Sequence, residues 1–148
     1  MKKIHMTTTI HAPRETVWKT MLSPDTYRTW TSAFTEGSYY EGSWEKGEKI
    51  RFLAPGGDGM VSEIAENRPH EFISINHLGI IKDGAEDYES EEVKSWASAR
   101  ENYTFEDEGS DTKLTIDMDV TPEHEQSMSE MWTKALAKLK EISEKSRD

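Results

Sequence analysis

The sequence contains no cysteine, and this absence excludes three kinds of chemistry. Without a thiol, the chain cannot form a disulfide, bind a metal through sulfur or attack a substrate with a thiolate. It also lacks any run of the ~18 apolar residues that mark a membrane-spanning helix. The first residues, MKKIHMTTTIHAP, have no apolar core of the secretory-signal type. We therefore expect a soluble, cytoplasmic protein that is not inserted in a membrane.

Basic residues are scarce relative to acidic ones. The chain has 18 Lys and Arg against 29 Asp and Glu, which gives a formal net charge of −11. Such a chain repels the phosphates of nucleic acid, and no stripe of Lys or Arg offsets the repulsion. An anionic membrane surface is disfavoured for the same reason. A neutral or apolar small molecule fits this charge, and so does a basic protein surface.

Signatures of metal, nucleotide and hydrolase sites are lacking as well. The five histidines form no HxxxH or HExxH pair. The acidic segment 83–92 lacks the spaced ligands of a calcium loop, and we interpret it as a solvated, mobile loop that can gate a pocket. Residues 56–59 are glycine-rich but lead into a strand, unlike a phosphate-binding loop. No GxSxG elbow is present. We expect no metal and no cofactor.

The periodicity of the apolar residues predicts the order of the elements. Alternating residues predict a strand over 3–10, and apolar residues at three-to-four spacing after Pro13 predict a short helix. Ser23-Pro24-Asp25 ends this helix and begins a second one that reaches Trp30. From residue 36 onward the period changes to two, and short turns without helices indicate an antiparallel meander. The clearest predicted strands are 50–53, 60–66, 71–79, 96–106 and 113–120.

The last predicted element is a long helix over 122–146, with Thr121 as its cap. At 1.5 Å per residue it spans ~37 Å, which is enough to cross a whole sheet. Its apolar stripe consists of Met128, Met131, Trp132, Ala135, Leu136, Leu139 and Ile142. The order predicts an α+β fold, one domain over 1–148, in which a curved antiparallel sheet wraps around this helix. A sheet curved in this way leaves a cavity under the helix.

Aromatic and methionine side chains are expected to line that cavity. Methionine is flexible and polarisable, and tyrosine and tryptophan each offer one hydrogen bond to orient a ligand. Any one of these residues is also typical of an ordinary core, but together they favour a cavity in this fold. The predicted lining residues are Trp30, Phe34, Tyr39, Trp44, Phe52, Met60, Tyr103, Phe105, Met118, Met128 and Trp132.

Two polar residues share the apolar faces of predicted strands. His77 has the parity of Ile73 and Ile75, and Glu101 has that of Tyr103 and Phe105, so both are expected inside the cavity. They are candidates for an acid–base pair, for anchors of a carbonyl-bearing ligand, or for an internal pair with no ligand. Arg51 is expected to face away, since its neighbours Ile50 and Phe52 are apolar. A bulge in a strand would exchange the two faces.

Several short motifs give the sequence a family resemblance over nearly its whole length. It resembles the SRPBCC superfamily (START-like and birch-pollen-allergen-like proteins). Within it, the chain resembles the bacterial homologues of the C-terminal domain of the heat-shock-protein ATPase activator. The resemblance implies a helix-grip fold with a hydrophobic pocket. The motifs are Val17-Trp18, Ser23-Pro24-Asp25 before Trp30, Gly42-Ser43-Trp44 with Gly47, Ile50-Arg51-Phe52, 59–64, 101–105 and the closing helix.

Three functional hypotheses follow from the residues and the resemblance. The first is binding of a hydrophobic small molecule, such as a lipid, sterol, polyketide or flavonoid-like compound, between the sheet and the C-terminal helix. The second is a cyclase or aromatase that uses Glu101 and His77 for proton transfer. The third is a chaperone-type protein-interaction module. We give this last hypothesis less weight, because we expect a single domain without the separate N-terminal half that such co-chaperones carry.

Overall fold

The computed structural model describes residues 1–146, and its elements follow the order predicted from the sequence. The helices are α1 (Arg14–Leu22), α2 (Pro24–Trp30), α3 (Glu91–Lys94) and α4 (Glu125–Lys145), with single 3-10 turns at Thr31–Ala33 and Pro122–His124. The strands are β1 (Lys2–Ile10), β2 (Tyr39–Gly42), β3 (Lys49–Leu53), β4 (Gly59–Arg68), β5 (Phe72–Lys82), β6 (Ala85–Asp87), β7 (Arg100–Glu108) and β8 (Asp111–Val120).

Within residues 1–146, eight antiparallel strands form one sheet in the order β1-β8-β7-β5-β4-β3-β2, and β6 pairs with β5 beside this path. The pairing of β4 with β5 shifts register between Val61 and Ser62 and again between Ile64 and Glu66. Such irregularities bend a sheet and increase its twist. The predicted α+β helix-grip architecture is confirmed. One domain over 1–148 stays a prediction, and its last two residues lie outside the described part of the chain.

Three predictions about where elements begin or end are wrong. The strand predicted over 96–106 begins only at Arg100, because α3 and a turn with Ser98 at φ 71° come first. The predicted loop 83–92 instead contains β6 and the start of α3, where the Ser90 hydroxyl accepts a hydrogen bond from the Val93 amide. Thr121 does not cap α4: its hydroxyl lies 2.6 Å from His124 Nδ1, and the α-helix begins after a 3-10 turn.

Trp132 joins α4 to the rest of the molecule. Its indole is 2% exposed, and its N–H donates to the Met118 sulfur on β8 at 3.0 Å. The ring centroid lies 5.8 Å from those of Trp30 and Tyr103 and 5.0 Å from that of Phe34. One side chain therefore fixes α4 against the sheet and against the α2 segment.

The two ends of α4 have different surroundings. Toward its C-terminus, the Lys140 ammonium donates to the Thr9 carbonyl at 3.0 Å, and Glu144 accepts from the His11 amide at 3.0 Å. Ala135 and Leu139 are buried there without any exposed surface. This end is therefore closed onto β1, and the space beneath the helix lies at its other end.

Glu86 attaches β6 to the sheet. Its carboxylate accepts from the Tyr88 hydroxyl at 2.5 Å and pairs with Lys49 at 3.1 Å and Arg51 at 2.5 Å. The hydrogen bond from Tyr88, followed by those from Lys49 and Arg51, lowers the pKa of Glu86 to about 2. Segment 83–94 is thus attached to β3 by charge as well as by its pairing with β5.

Trp132→Ala is expected to lower the free energy of unfolding by about 3–5 kcal/mol, because it removes a large buried side chain and leaves a void between three elements. Lys134→Ala, an exposed change on the same helix, should alter it by less than about 0.5 kcal/mol. Urea denaturation followed by circular dichroism measures both values. Equal stability of the two variants would contradict the central position given to Trp132.

Glu86→Gln is expected to lower the free energy of unfolding by about 1 kcal/mol at neutral pH, since the cations that pair with Glu86 are half exposed. The pKa of Glu86 is depressed in the folded chain. Its contribution is therefore complete above the ordinary value of 4.5 and is lost as the pH falls to about 2.

Urea denaturation at several pH values measures the difference between wild type and Glu86→Gln, which should shrink across that interval. Glu45→Gln, the same change at an exposed position, is the control and should show no such trend. A difference for Glu86→Gln that is constant with pH would contradict the ion-pair account.

Candidate functional site

A cavity of about 500 Å³ lies between the sheet, the α2 segment and the N-terminal end of α4. Its floor is formed by residues of β3, β4, β5, β7 and β8, and its roof by Trp30, Phe34 and Trp132. The turn before β7 contributes Trp96 and Ala99 at the edge. The cavity therefore lies beneath the N-terminal end of α4, away from the end that packs onto β1. The predicted fold requires a cavity between the sheet and this helix.

Most of the side chains proposed from the sequence meet at this cavity. Eleven of the thirteen predicted residues lie in its lining. Aromatic contacts connect several of them: the Trp44 ring lies 5.7 Å from that of Phe52, and the Phe52 ring lies 6.3 Å from that of His77. The eleven are Trp30, Phe34, Trp44, Phe52, Met60, His77, Glu101, Tyr103, Met118, Met128 and Trp132.

Tyr39 is not placed at the cavity. It packs with Leu53, Val61 and Ile81 in a separate small cluster, and the Arg28 guanidinium lies 5.7 Å from its ring centroid. Its neighbour Tyr40 is the residue that points to the main core, because successive side chains of a strand point to opposite faces. The prediction that Tyr39 lines the cavity is therefore wrong, and Tyr40 packs against the main core without joining the lining either.

Phe105 is also absent from the cavity lining, although it has the predicted inward orientation. It is 2% exposed, and its ring lies 5.1 Å from that of Trp18 on α1. Helix α1 covers the sheet at this position and fills the space under it. Parity predicts which face of a strand is inward, but it does not predict which helix covers that face.

The sequence analysis missed other lining residues. Tyr27 lies three positions before Trp30 on α2, a spacing that places both on one helix face and could have identified it. Trp96 was assigned to a strand that begins only at Arg100, so its position at the cavity edge had no visible signal. Thr31 and Thr121 lie in short turns whose geometry the pattern does not specify.

A chain of hydrogen bonds crosses three strands at the floor of the cavity. Ser62 Oγ lies 2.7 Å from His77 Nδ1, and His77 Nε2 lies 3.0 Å from Glu101 Oε1. The Tyr103 hydroxyl donates to Glu101 Oε2. The side chains of His77 and Glu101 are 7% and 15% exposed. Since a carboxylate only accepts hydrogen bonds, His77 and Tyr103 both donate to Glu101.

The tyrosines near Glu101 remain protonated. Burial, together with the negative charge of Glu101, raises the pKa of Tyr103 well above its ordinary value. Burial and the same carboxylate also raise the pKa of Tyr27. Both phenols therefore keep their hydrogens, and Tyr103 holds Glu101 Oε2 in place as a donor.

The order Ser62, His77, Glu101 has the composition of a hydrolase triad but not its accessibility. Ser62 is completely buried and does not contribute to the cavity lining. A nucleophilic hydroxyl must reach the substrate, and this one reaches only His77. His77 and Glu101 do line the cavity, and Glu101 can accept a hydrogen bond or a proton there.

The charged groups of the lining have one predominant sign. Among residues 1–146, neither lysine nor arginine lines the cavity, whereas Asp58, Glu92, Glu101, Asp119 and Glu123 do. Arg51 faces away from it and pairs with Glu86, as the parity of β3 predicts.

The described residues contain neither a candidate metal site nor a candidate membrane-spanning helix. Within residues 1–146, no three His, Asp or Glu side chains form a cluster that could hold a metal ion. No helix in the same range is both long enough and apolar enough to cross a membrane.

Solved structures with the same fold share little sequence with this chain. The Aha1 dimer from Colwellia psychrerythraea is similar with a TM-score of 0.74 at 19% identity, over 97% of each chain. Protein MLL2253 from Mesorhizobium loti gives 0.73 at 14% identity, over 98% of each chain. DynU16, described as a protein in the dynemicin biosynthetic locus, gives 0.73 at 15% identity, over 99% of this chain and 49% of that one. At such identities the similarity concerns the fold alone.

Sequence comparison is more specific. No curated protein sequence matches the chain significantly. The profile of one family, described as activator of Hsp90 ATPase homolog 1-like protein, matches residues 11–144, which is nearly the whole chain. The resemblance found in the sequence motifs is thereby confirmed, and the chain belongs to the family of activator of Hsp90 ATPase homolog 1-like proteins.

Proposed function

We propose that this protein binds an apolar small molecule, of the size and character of a lipid, sterol, polyketide or flavonoid, in the cavity beneath α4. The observation that carries the proposal is the cavity itself: it measures about 500 Å³, its wall is mostly apolar, and eight aromatic and five methionine residues belong to its lining. Cavities of this size and composition are typical of small-molecule sites. A sheet and helix packed only for stability would fill such a space, because interiors are close-packed.

The methionines of the lining suit a ligand of variable shape. Met60, Met118 and Met128 come from β4, β8 and α4, so they contact the space from three directions. Their unbranched side chains adapt to a bound surface at low cost. Burial of apolar ligand surface against them supplies the affinity, at roughly 25 cal/mol per Å².

Glu101 gives the cavity one oriented polar group. It is held on two sides by His77 and Tyr103, so its position does not depend on the ligand. A fixed polar group in an apolar cavity orients a ligand, since only one end of the molecule can satisfy it. This is the role that we propose for Glu101 in binding.

A protein-interaction module receives less support. Such a function favours a filled interior and an exposed apolar patch. Among the described residues, Met1 and Tyr88 are the large apolar side chains that are exposed, one before β1 and the other after β6. The cytoplasmic location stays a prediction from the sequence.

An enzyme is the second candidate, and the His77–Glu101 hydrogen bond at the cavity floor favours it. A carboxylate beside an imidazole can remove a proton from a bound molecule and pass it on. The test is to incubate any bound ligand with the protein and to follow the structure of that ligand over time by NMR, because a proton transfer leaves its mass unchanged. Conversion to a product that Glu101→Gln abolishes would support catalysis, and an unchanged ligand spectrum would leave binding alone.

Trp44→Ala is expected to lower the affinity for apolar ligands at least about ten-fold, because it removes a large apolar contact from the cavity wall. Trp18→Ala is the matched control, since Trp18 is a half-buried tryptophan that contacts His70 and Phe105 outside the cavity. Calorimetric titration with a sterol, a flavonoid, a polyketide and a fatty alcohol measures the affinities. Equal affinity of the two folded variants for every compound bound would contradict the proposed site.

A further inference from the structure

Glu101 is an acceptor that already receives two hydrogen bonds. The His77 N–H and the Tyr103 O–H both donate to it, and the indole N–H of Trp132 beside them donates to the Met118 sulfur. A ligand carbonyl or carboxylate would find no free donor among these three groups, although the lining also contains the buried Trp44 indole N–H, which has no hydrogen-bond partner. A ligand that reaches Glu101 must therefore bring a donor of its own.

No lysine or arginine side chain of the cavity balances the charge of Glu101. Among residues 1–146, five carboxylates line this space, whereas its potentially cationic members are Met1 at the N-terminus and the histidines His77 and His124. Asp119, at the edge, is paired with Lys3 at 2.6 Å, but Glu92 and Glu123 have no ion-pair partner within the described residues. Carboxylates therefore predominate in the lining, and a low-dielectric wall strengthens their attraction for a cation.

Aromatic rings pack against both hydrogen-bond partners of this carboxylate. The Tyr103 phenol is hydrogen-bonded to it, the Trp132 ring lies 5.8 Å from that of Tyr103, and the Phe52 ring lies 6.3 Å from that of His77. The face of an aromatic ring attracts a cation, and the attraction grows where water is excluded. A cation bound at Glu101 would thus gain from the carboxylate and from the rings together.

We propose, on the basis of the binding function proposed above, that the cavity takes a hydrophobic amine in its protonated form. Its ammonium group donates to Glu101 against the aromatic rings, and its apolar body lies among the methionines and tryptophans. A hydroxyl in the same place would make the hydrogen bond but would leave the buried charge unbalanced. A carboxylate would be repelled.

The test is calorimetric titration of the folded protein with decylammonium, decanol and decanoate, which share one chain and differ in one group. The titrations use physiological salt, which screens the net charge of the surface, and concentrations below the onset of micelles. Decylammonium is expected to bind at least about ten-fold more tightly than decanol, with decanoate weakest.

Two variants test whether Glu101 causes this preference. Glu101→Gln keeps the size and the hydrogen-bonding capacity of the side chain but removes its charge, so the preference for decylammonium over decanol should fall below about two-fold. Glu106→Gln is the matched control, since it makes the same change on β7 at an exposed position outside the cavity. It should keep the full preference.

Each contrary outcome has a separate meaning. Decanol binding as tightly as decylammonium would overturn the amine proposal and leave the apolar binding function standing. A preference that persists in Glu101→Gln would overturn the assignment to this carboxylate. No binding of any of the three compounds would count against the binding function itself. The ranking on the unmodified protein tests the proposal even if Glu101→Gln does not fold.

Discussion

The packing of Trp132 against the sheet and the α2 segment is the contact on which the rest of the structure depends. The indole holds the N-terminal end of α4 at a fixed distance from β7 and β8, and it also forms part of the cavity roof. The other end of the helix is closed onto β1 by Lys140 and Glu144. A helix that packs onto the sheet at one end and is held away from it at the other leaves a cavity between the two.

Much of this arrangement follows from the periodicity of the sequence. The change from period 3.6 to period 2 near residue 36, and the stripe ending near Ile142, predict the sheet and its covering helix. Strand parity also places His77 and Glu101 on the inward face, although they lie 24 residues apart, and the structure joins them by a hydrogen bond. Such patterns work because one face of each strand must be buried, which fixes the register.

The remaining features depend on contacts that no local pattern records. Phe105 is inward but lies under α1, and Trp96 reaches the cavity through a turn that resembles a strand in the sequence. Ser62 is hydrogen-bonded to His77 because the two residues face each other across β4 and β5, next to a register shift. The family, in turn, accounts for the fold, while the chemistry resides in the particular residues that face the cavity. In this chain that residue is Glu101, with both neighbouring donors directed at it.

The most direct test of the account is native mass spectrometry of the protein purified from its own host. The account predicts a defined small mass that travels with the folded protein and is released on denaturation, because the cavity of about 500 Å³ is built to hold an apolar molecule. That mass would also identify the chemical class of the ligand. A bare protein mass, with no shift of melting temperature across lipids, sterols, polyphenols and hydrophobic amines, would contradict the account.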